Sequence, residues 1–243
     1  MRDEIYSLPR DQVGKFEFDD AVADVFPDMI NRSVPGYGSI LSVIEQLSER
    51  FVTPGSNVYD LGCSLGAATL LIRGNVPRDV TIHAIDSSEA MTRRLAQRLA
   101  ATPGGSANVE VRQADVLDIT MDNASLVVLN FTLQFIPAEQ RDALLSRVCN
   151  SLQPGGALLL SEKVCFDAPA QQKLLTDLHL DFKRANGYSE LEIAQKRTSL
   201  ENTLIPETIE AHCDRLRKVG FGVVAPWFLC FNFASILAVK GDS

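Results

Sequence analysis

The feature that most constrains the fold is a repeated alternation of short apolar segments with amphipathic ones. The apolar segments have the length of buried strands and lie at 57–61, 80–85, 109–113, 124–130 and 157–161. Helical spacing of apolar residues follows three of them, at 67–73, from about 88 to 101 and from about 138 to 151. This alternation predicts a parallel sheet covered by helices on both faces.

The flanking segments extend this α/β core. Residues from about 17 to 50 are predicted to be helical, with an interruption at Pro27 and a second helix capped by Ser39. A charged, mainly helical insertion is predicted at about 162–219, after the fifth strand, as a cap. Two further strands, 222–225 and a longer one from Trp227, would complete seven, the last antiparallel. We therefore expect one Rossmann-like domain over residues 1–243.

Composition narrows the functional classes. The formal net charge of -8 disfavours direct nucleic-acid binding, because an acidic surface repels phosphate. The five cysteines form no Cys-x-x-Cys pair, which argues against a metal site or a disulfide framework and for reduced thiols. No signal peptide or apolar run of membrane-spanning length is apparent, so we expect a cytoplasmic protein without a membrane partner.

Polar residues follow successive strands of the predicted sheet. Asp60 lies near the end of the first strand, and Asp86, Asp115 and Asn130 follow the next three. In a doubly wound sheet, ligands bind at the carboxyl ends of the strands, so these side chains should line one crevice. One such aspartate alone would more often be a turn or cap residue, whereas four in order favour a binding site.

The turn after the first strand, Asp60 to Gly66, indicates what binds there. Its glycines allow a ligand to approach the backbone, and Asp86 lies where a carboxylate accepts ribose hydroxyls. Asp115 could accept a hydrogen bond from an adenine amino group. The turn lacks the Gly-x-Gly-x-x-Gly pattern of pyrophosphate sites, and its aspartate favours a cationic ligand. A sulfonium with an ammonium tail, as in S-adenosyl-L-methionine (SAM), fits.

At this point the sequence resembles a known family. The turn is similar to the first motif of SAM-dependent methyltransferases, with Ser64 replacing the usual middle glycine. Longer segments resemble the carboxy-S-adenosyl-L-methionine synthases over nearly the whole chain, namely 25–30, 32–37, 129–135, 181–193, 195–197 and 200–202.

The resemblance implies a reaction other than methyl transfer. The family converts SAM and prephenate to carboxy-SAM and phenylpyruvate, so carboxy-SAM is expected as a bound product and no metal is expected. The product serves a partner enzyme that carboxymethylates a wobble hydroxyuridine of tRNA. The family is homodimeric, and the insertion is expected to approach a neighbouring subunit's site.

The resemblance also implies site residues. Arg197 is expected to meet the new carboxylate as the catalytic residue, because a guanidinium matches two carboxylate oxygens. Its position in a run of mixed charges leaves surface pairing as the alternative. None of His83, His179 and His212 falls in a motif, which is compatible with a base derived from the substrate. The SAM contacts are expected at Tyr37, Gly62, Cys63, Ser64, Asp86, Ser87, Asp115, Val116, Asn130 and Arg197.

Two other functions stay open on sequence alone. An ordinary SAM-dependent methyltransferase acting on a small acid would release S-adenosylhomocysteine. A non-catalytic SAM-binding regulator would turn over no small molecule.

Overall fold

The computed structural model describes residues 1–10, 12–102, 104–105, 107–200 and 203–241. Within them the chain forms a seven-stranded sheet in the order β3-β2-β1-β4-β5-β7-β6. The strands are β1 (Asn57–Leu61), β2 (Thr81–Asp86), β3 (Asn108–Gln113), β4 (Ala124–Asn130), β5 (Leu152–Lys163), β6 (Phe221–Cys230) and β7 (Phe233–Lys240). The motif residues Glu201 and Asn202 lie outside the described residues.

The sheet is mostly parallel, as the alternation predicts. β3, β2, β1, β4 and β5 pair in parallel, whereas β7 is antiparallel to both β5 and β6. The order reverses beside β1, with β2 on one side and β4 on the other. This reversal opens a crevice at the carboxyl ends of β1 and β4, where ligands of such sheets bind.

The described helices cover both faces of the sheet. α2 and α3 bury Ile40, Ile44 and Ile72 against one face, and α5 and α8 bury Leu144 and Leu216 against the other. Burial of these side chains is the main favourable term that fixes the layers. The helices are α1 (Asp20–Ser33), α2 (Tyr37–Phe51), α3 (Ala67–Asn75), α4 (Glu89–Ala101), α5 (Ala138–Ser151), α6 (Pro169–Ala185), α7 (Glu190–Leu200) and α8 (Ile209–Lys218).

Two predictions about the N-terminal helices are wrong. α1 continues through Pro27, because its buried face, with Val25 and Met29, packs in an apolar cluster that offsets the missing hydrogen bond. Ser39 is not the cap of α2. That helix begins at Tyr37 after Gly36, whose φ of 74° favours glycine and whose added Cβ would lie 2.3 Å from the Phe228 ring.

Two strand boundaries also differ from prediction. β5 begins at Leu152, and the Pro-Gly-Gly segment 154–156 forms an irregularity in its pairing with β4 rather than a turn before the strand. β6 continues through Pro226, where the pairing register shifts, and the break comes at Phe231, with φ of 53°. Proline is tolerated there because β6 is an edge strand.

The predicted insertion contains α6, α7 and α8. α8 packs on the sheet, since Cys213 and Leu216 belong to the same apolar cluster as β4 and β5 residues. α6 and α7 supply residues to a cavity described below. The division of the chain into one domain with two helical additions stays a prediction.

Candidate SAM-binding site

A cavity of about 790 Å³ lies at the carboxyl ends of the central strands. This volume falls within the range of small-molecule sites, about 300–1,000 Å³. Nine of the ten residues expected to contact SAM line it: Tyr37, Gly62, Cys63, Ser64, Asp86, Ser87, Asp115, Val116 and Asn130. Residues from five separate segments of the chain therefore meet in one place.

The turn after β1 is tightly held. The backbone N–H groups of Gly62 and Cys63 both donate to the Ile85 carbonyl, at 2.8 and 2.9 Å. Gly62 has φ of 83°, and a Cβ there would lie 2.1 Å from Oγ1 of Thr132. Ser64 also adopts a left-handed conformation, with φ of 49°. That conformation explains why glycine is usual at this position of the methyltransferase motif.

Asp86 connects the first turn to the start of α4. Its Oδ2 accepts from the Ser64 N–H at 2.8 Å, and its Oδ1 accepts from the Ser88 N–H at 2.9 Å. Burial raises the pKa of the carboxyl, and these two backbone hydrogen bonds oppose that rise. A carboxylate has about four acceptor positions, so Asp86 keeps capacity for two ribose hydroxyls.

Asp60 is fully buried beneath the turn. Its Oδ2 accepts from the Thr69 hydroxyl at 2.5 Å and from the Thr69 N–H at 3.1 Å. Burial raises the pKa of Asp60 to about 6. The pKa of the Tyr37 hydroxyl is raised by burial and by the negative charge of Asp60. A cationic ligand in the cavity would offset the desolvation of Asp60, because its positive charge favours the ionised carboxylate.

Asn130 provides a test of whether the cavity suits a polar ligand. Its Oδ1 is buried without a hydrogen-bond partner among the described residues. Such an orphaned acceptor at the end of β4 indicates that a ligand donor completes it. Asp115 instead accepts from the Leu117 N–H at 2.8 Å, which leaves its other oxygen for a ligand. The cavity therefore fits an adenosine-containing molecule.

Cys63 and Ser87 both line the cavity but differ in how deeply they are buried. Cys63 is buried, and burial with nearby aspartate charges raises its pKa, so its thiol is unsuited to act as a nucleophile. Ser87 is exposed at the rim, and its carbonyl accepts from the Gln113 side chain at 3.3 Å. Ser87 therefore contributes to the edge of the cavity rather than to its buried part.

Four basic residues that the sequence did not single out as ligands form another part of the cavity lining. We call Lys163, His179, Lys183 and Lys196 the basic cluster. Lys163 ends β5, His179 and Lys183 lie one turn apart on α6, and Lys196 is on α7. Their sequence signal was weak, because Lys183 and Lys196 occur in a run of mixed charges that is typical of a solvated surface.

Electrostatics within the basic cluster are unfavourable in the absence of a ligand. Burial and the charges of Lys196 and Lys163 lower the pKa of Lys183 to about 7. Burial and the charges of Lys183, Lys163 and Lys196 lower the pKa of His179 to about 3, so this histidine is neutral at pH 7. Burial lowers the pKa of Lys196 to about 8, opposed by Asp3, whose Oδ2 lies 3.4 Å from its Nζ.

Arg197 is exposed and is absent from the cavity lining. It follows Lys196 on α7, and its charge contributes to lowering the pKa of Lys163. Arg197 therefore lies near the basic cluster without entering the cavity. A neighbouring arginine, Arg184, does make the surface pairs that a charge run predicts, with Asp181 and Glu190.

The other two histidines lie away from the cavity. His83 stacks on Tyr59 with ring centroids 4.7 Å apart, and His212 is buried on α8. All five cysteines are free. Among the described residues, no cluster of histidine, cysteine or acidic side chains could hold a metal ion. No helix within the described ranges is long and apolar enough to cross a membrane.

Solved methyltransferase structures resemble this fold. Magnesium protoporphyrin IX methyltransferase from Synechocystis PCC 6803, with bound SAH, has a TM-score of 0.59 at 16% identity, covering 94% of this chain and 90% of that one. Human N-acetylserotonin methyltransferase, in complex with SAM, has a TM-score of 0.55 at 17% identity, covering 98% and 61%. At these identities the likeness establishes the Rossmann-like methyltransferase fold alone.

Sequence comparison identifies the family. Residues 58–156 match the family model of the methyltransferase domain. Carboxy-S-adenosyl-L-methionine synthases of Shewanella amazonensis and Cronobacter sakazakii are 56% and 54% identical, over 99% and 100% of this chain and 99% and 98% of theirs. That of Trichlorobacter lovleyi is 52% identical over 98% of both chains. The chain therefore belongs to the carboxy-S-adenosyl-L-methionine synthase family, within the SAM-binding methyltransferase superfamily of transferases.

Proposed function

We propose that this protein converts SAM and prephenate to carboxy-SAM and phenylpyruvate. The observation that carries the proposal is the 56% identity, over nearly the whole of both chains, to a carboxy-S-adenosyl-L-methionine synthase. Support comes from the cavity, which combines strand-end residues suited to SAM with a basic cluster suited to an organic anion. The basic cluster would also suit a methyltransferase acting on a small acid, so the sequence identity to the synthases is the reason to prefer the synthase function.

The proposed reaction balances in atoms and in charge without a base from the protein. Prephenate, a dianion, loses its ring carboxylate as carbon dioxide and its ring hydroxyl as hydroxide when the ring becomes aromatic. The hydroxide takes a proton from the SAM methyl group, and that carbon forms a bond to the carbon dioxide. The products are carboxy-SAM, phenylpyruvate and water. His179 is compatible with this scheme, because it is neutral and its Nε2–H donates to the Ser33 carbonyl at 2.8 Å.

The chain's own residues would orient the two substrates. We assign the ribose to Asp86, the adenine edge to Asp115 and the SAM amino-acid group to the region of Asn130 and Tyr37. Asp60 would balance the positive sulfonium from beneath the turn. Proximity of the two substrates in one cavity supplies the main assistance, because carbon dioxide is captured before it escapes.

Arg197 is proposed to bind the carboxylate of the product. In the described conformation its side chain is exposed, so it must turn toward the cavity to do so. We further propose a homodimer, with α6 and α7 near the neighbouring subunit's site, and a cytoplasmic location. The bound product would pass to a separate tRNA carboxymethyltransferase, since the net charge of -8 disfavours tRNA binding by this chain.

Mass spectrometry of the purified protein tests the proposal. We expect a released ligand one carbon dioxide heavier than SAM, and SAM-dependent formation of phenylpyruvate on addition of prephenate. Release of S-adenosylhomocysteine, with transfer of a methyl group to a small acid, would instead establish an ordinary methyltransferase. SAM binding with no turnover would indicate a regulator.

A further inference from the structure

Two lysines of the basic cluster have no protein partner for their charge. Across the described ranges 1–10, 12–102, 104–105, 107–200 and 203–241, no hydrogen bond or ion pair joins the ammonium group of Lys163 or Lys183 to another residue. Lys196 differs, since Asp3 neutralises it and the Ser33 hydroxyl accepts from it at 3.0 Å. Two ammonium groups of the basic cluster therefore lack an anionic partner among the residues that the structure describes.

Unpaired ammonium groups in a partly buried cavity are costly, and the cost is greater when they are neighbours. Lys163 and Lys183 each line the cavity, and the charge of Lys163 contributes to lowering the pKa of Lys183. An organic anion that contacts both ammonium groups would offset the cost of their desolvation and their mutual repulsion. The arrangement is therefore typical of a binding site for a carboxylate rather than of a structural ion pair.

The chemistry of decarboxylation decides which carboxylate these lysines can usefully hold. A carboxylate that leaves as carbon dioxide gives up its negative charge in the transition state. Ammonium groups on it would stabilise the ground state more than the transition state and would slow the reaction. A carboxylate that stays on the product keeps its charge throughout, so lysines bound to it position the substrate without opposing bond cleavage.

We propose that Lys163 and Lys183 bind the side-chain carboxylate of a dianionic co-substrate, the one retained in the 2-keto acid product. This inference rests on the proposed function for the identity of the co-substrate as prephenate. The ring carboxylate is then left away from the ammonium groups, toward the SAM methyl carbon. In the reaction the bond from the ring to that carboxylate breaks and hydroxide leaves, while the retained carboxylate makes no new bond.

The variants Lys163→Met and Lys183→Met test this assignment. Each keeps the length of the side chain and removes its charge. We expect each to raise the KM for prephenate by about tenfold or more, since a charge-assisted hydrogen bond is lost. The affinity for S-adenosylhomocysteine, measured by calorimetry, should stay within about twofold of the unmodified protein. That binding also reports that the variant is folded.

Lys173→Met is the matched control. Lys173 lies on α6 like Lys183, but its side chain is 78% exposed and pairs with Asp177 at 2.6 Å. We expect unchanged KM for both substrates. If the KM for prephenate stays within about twofold in both cavity variants, the assignment is wrong. A loss of S-adenosylhomocysteine affinity equal to the loss for prephenate would instead place the lysines on the carboxylate of SAM.

Calorimetry with prephenate and the S-adenosylhomocysteine complex separates this inference from the proposed function. In one outcome, the unmodified protein makes no carboxy-SAM and yet binds prephenate, while both lysine variants fail to bind it. That result would contradict the proposed function and support the assignment of the two lysines as an anion site. Turnover with unchanged prephenate affinity in the variants overturns the lysine assignment alone. Absence of prephenate binding to the unmodified protein overturns both.

Discussion

At the scale of single residues, Asp60 is a buried carboxyl whose protonation state should depend on whether a cationic ligand is bound. Its pKa of about 6 is raised by burial, so below pH 6 the carboxyl is mostly neutral. SAM brings a sulfonium and an ammonium group to the same cavity, and a positive ligand favours the ionised carboxylate. Proton release should therefore accompany SAM binding near pH 6.

The corresponding prediction concerns the pH dependence of SAM affinity. The Kd, measured by calorimetry between pH 5 and 8, should fall as pH rises through about 6 and level off above it. Below pH 6, the Kd for SAM should change by about tenfold for each pH unit. Asp60→Asn keeps an acceptor for Thr69 and removes the titrating charge, so its profile should be flatter. An identical profile in this variant would show that another group, such as Asp86, is responsible.

Arg197 is the residue at which sequence and structure differ most. The resemblance implies a carboxylate contact, whereas the described side chain is exposed. We predict that Arg197→Ala weakens carboxy-SAM binding by about 3 kcal/mol, roughly 100-fold in Kd, with SAM affinity unchanged. The control is Arg217→Ala, an exposed arginine that pairs with Asp214. Equal carboxy-SAM affinity in the two variants would remove Arg197 from the site.

At the scale of elements, the turn after β1 depends on its contact with the turn after β4. The Oγ1 of Thr132 donates to the Leu61 carbonyl at 2.7 Å and occupies the space beside Gly62. Gly62→Ala would add both a contact at 2.1 Å and a left-handed alanine. The two turns are therefore one packed unit that forms the wall of the SAM cavity.

We predict that Gly62→Ala destabilises the protein by about 2 kcal/mol or more, which lowers Tm by about 4–8 °C. Thr132→Ala removes the closest atoms and leaves its Cβ at 3.0 Å, so the double variant should recover part of the loss. A double-mutant cycle of thermal unfolding measures this coupling. Additive losses in the cycle would contradict a direct contact between the turns.

Periodicity predicted the elements of the core well, and local irregularities poorly. β1, β4 and α5 have the bounds expected from their apolar pattern. Pro27 and Pro226 were expected to end elements, yet α1 and β6 continue through them. The sequence shows only that a proline lacks an N–H donor. Whether the element can accept that loss depends on the tertiary packing of α1 and on the edge position of β6.

At the scale of the whole molecule, the strand-end residues could be predicted and the basic cluster could not. Asp86 and Asn130 end strands of one parallel sheet, so topology alone brings them together. Lys163 and Lys183 line the same cavity because α6 packs near the start of β7, where His179 contacts the Phe233 ring, and no periodic pattern encodes that path. The sequence therefore indicated the SAM side of the cavity more clearly than the side for the second substrate.

The proposed function requires transfer of an intact carboxyl carbon from prephenate to SAM. The most direct measurement is mass spectrometry after incubation of the protein with SAM and prephenate labelled with carbon-13 in its ring carboxylate, in buffer containing unlabelled bicarbonate. We predict carboxy-SAM that carries the label, formed in equal amount with unlabelled phenylpyruvate. Carboxy-SAM without the label, or S-adenosylhomocysteine as the sole SAM-derived product, would contradict it.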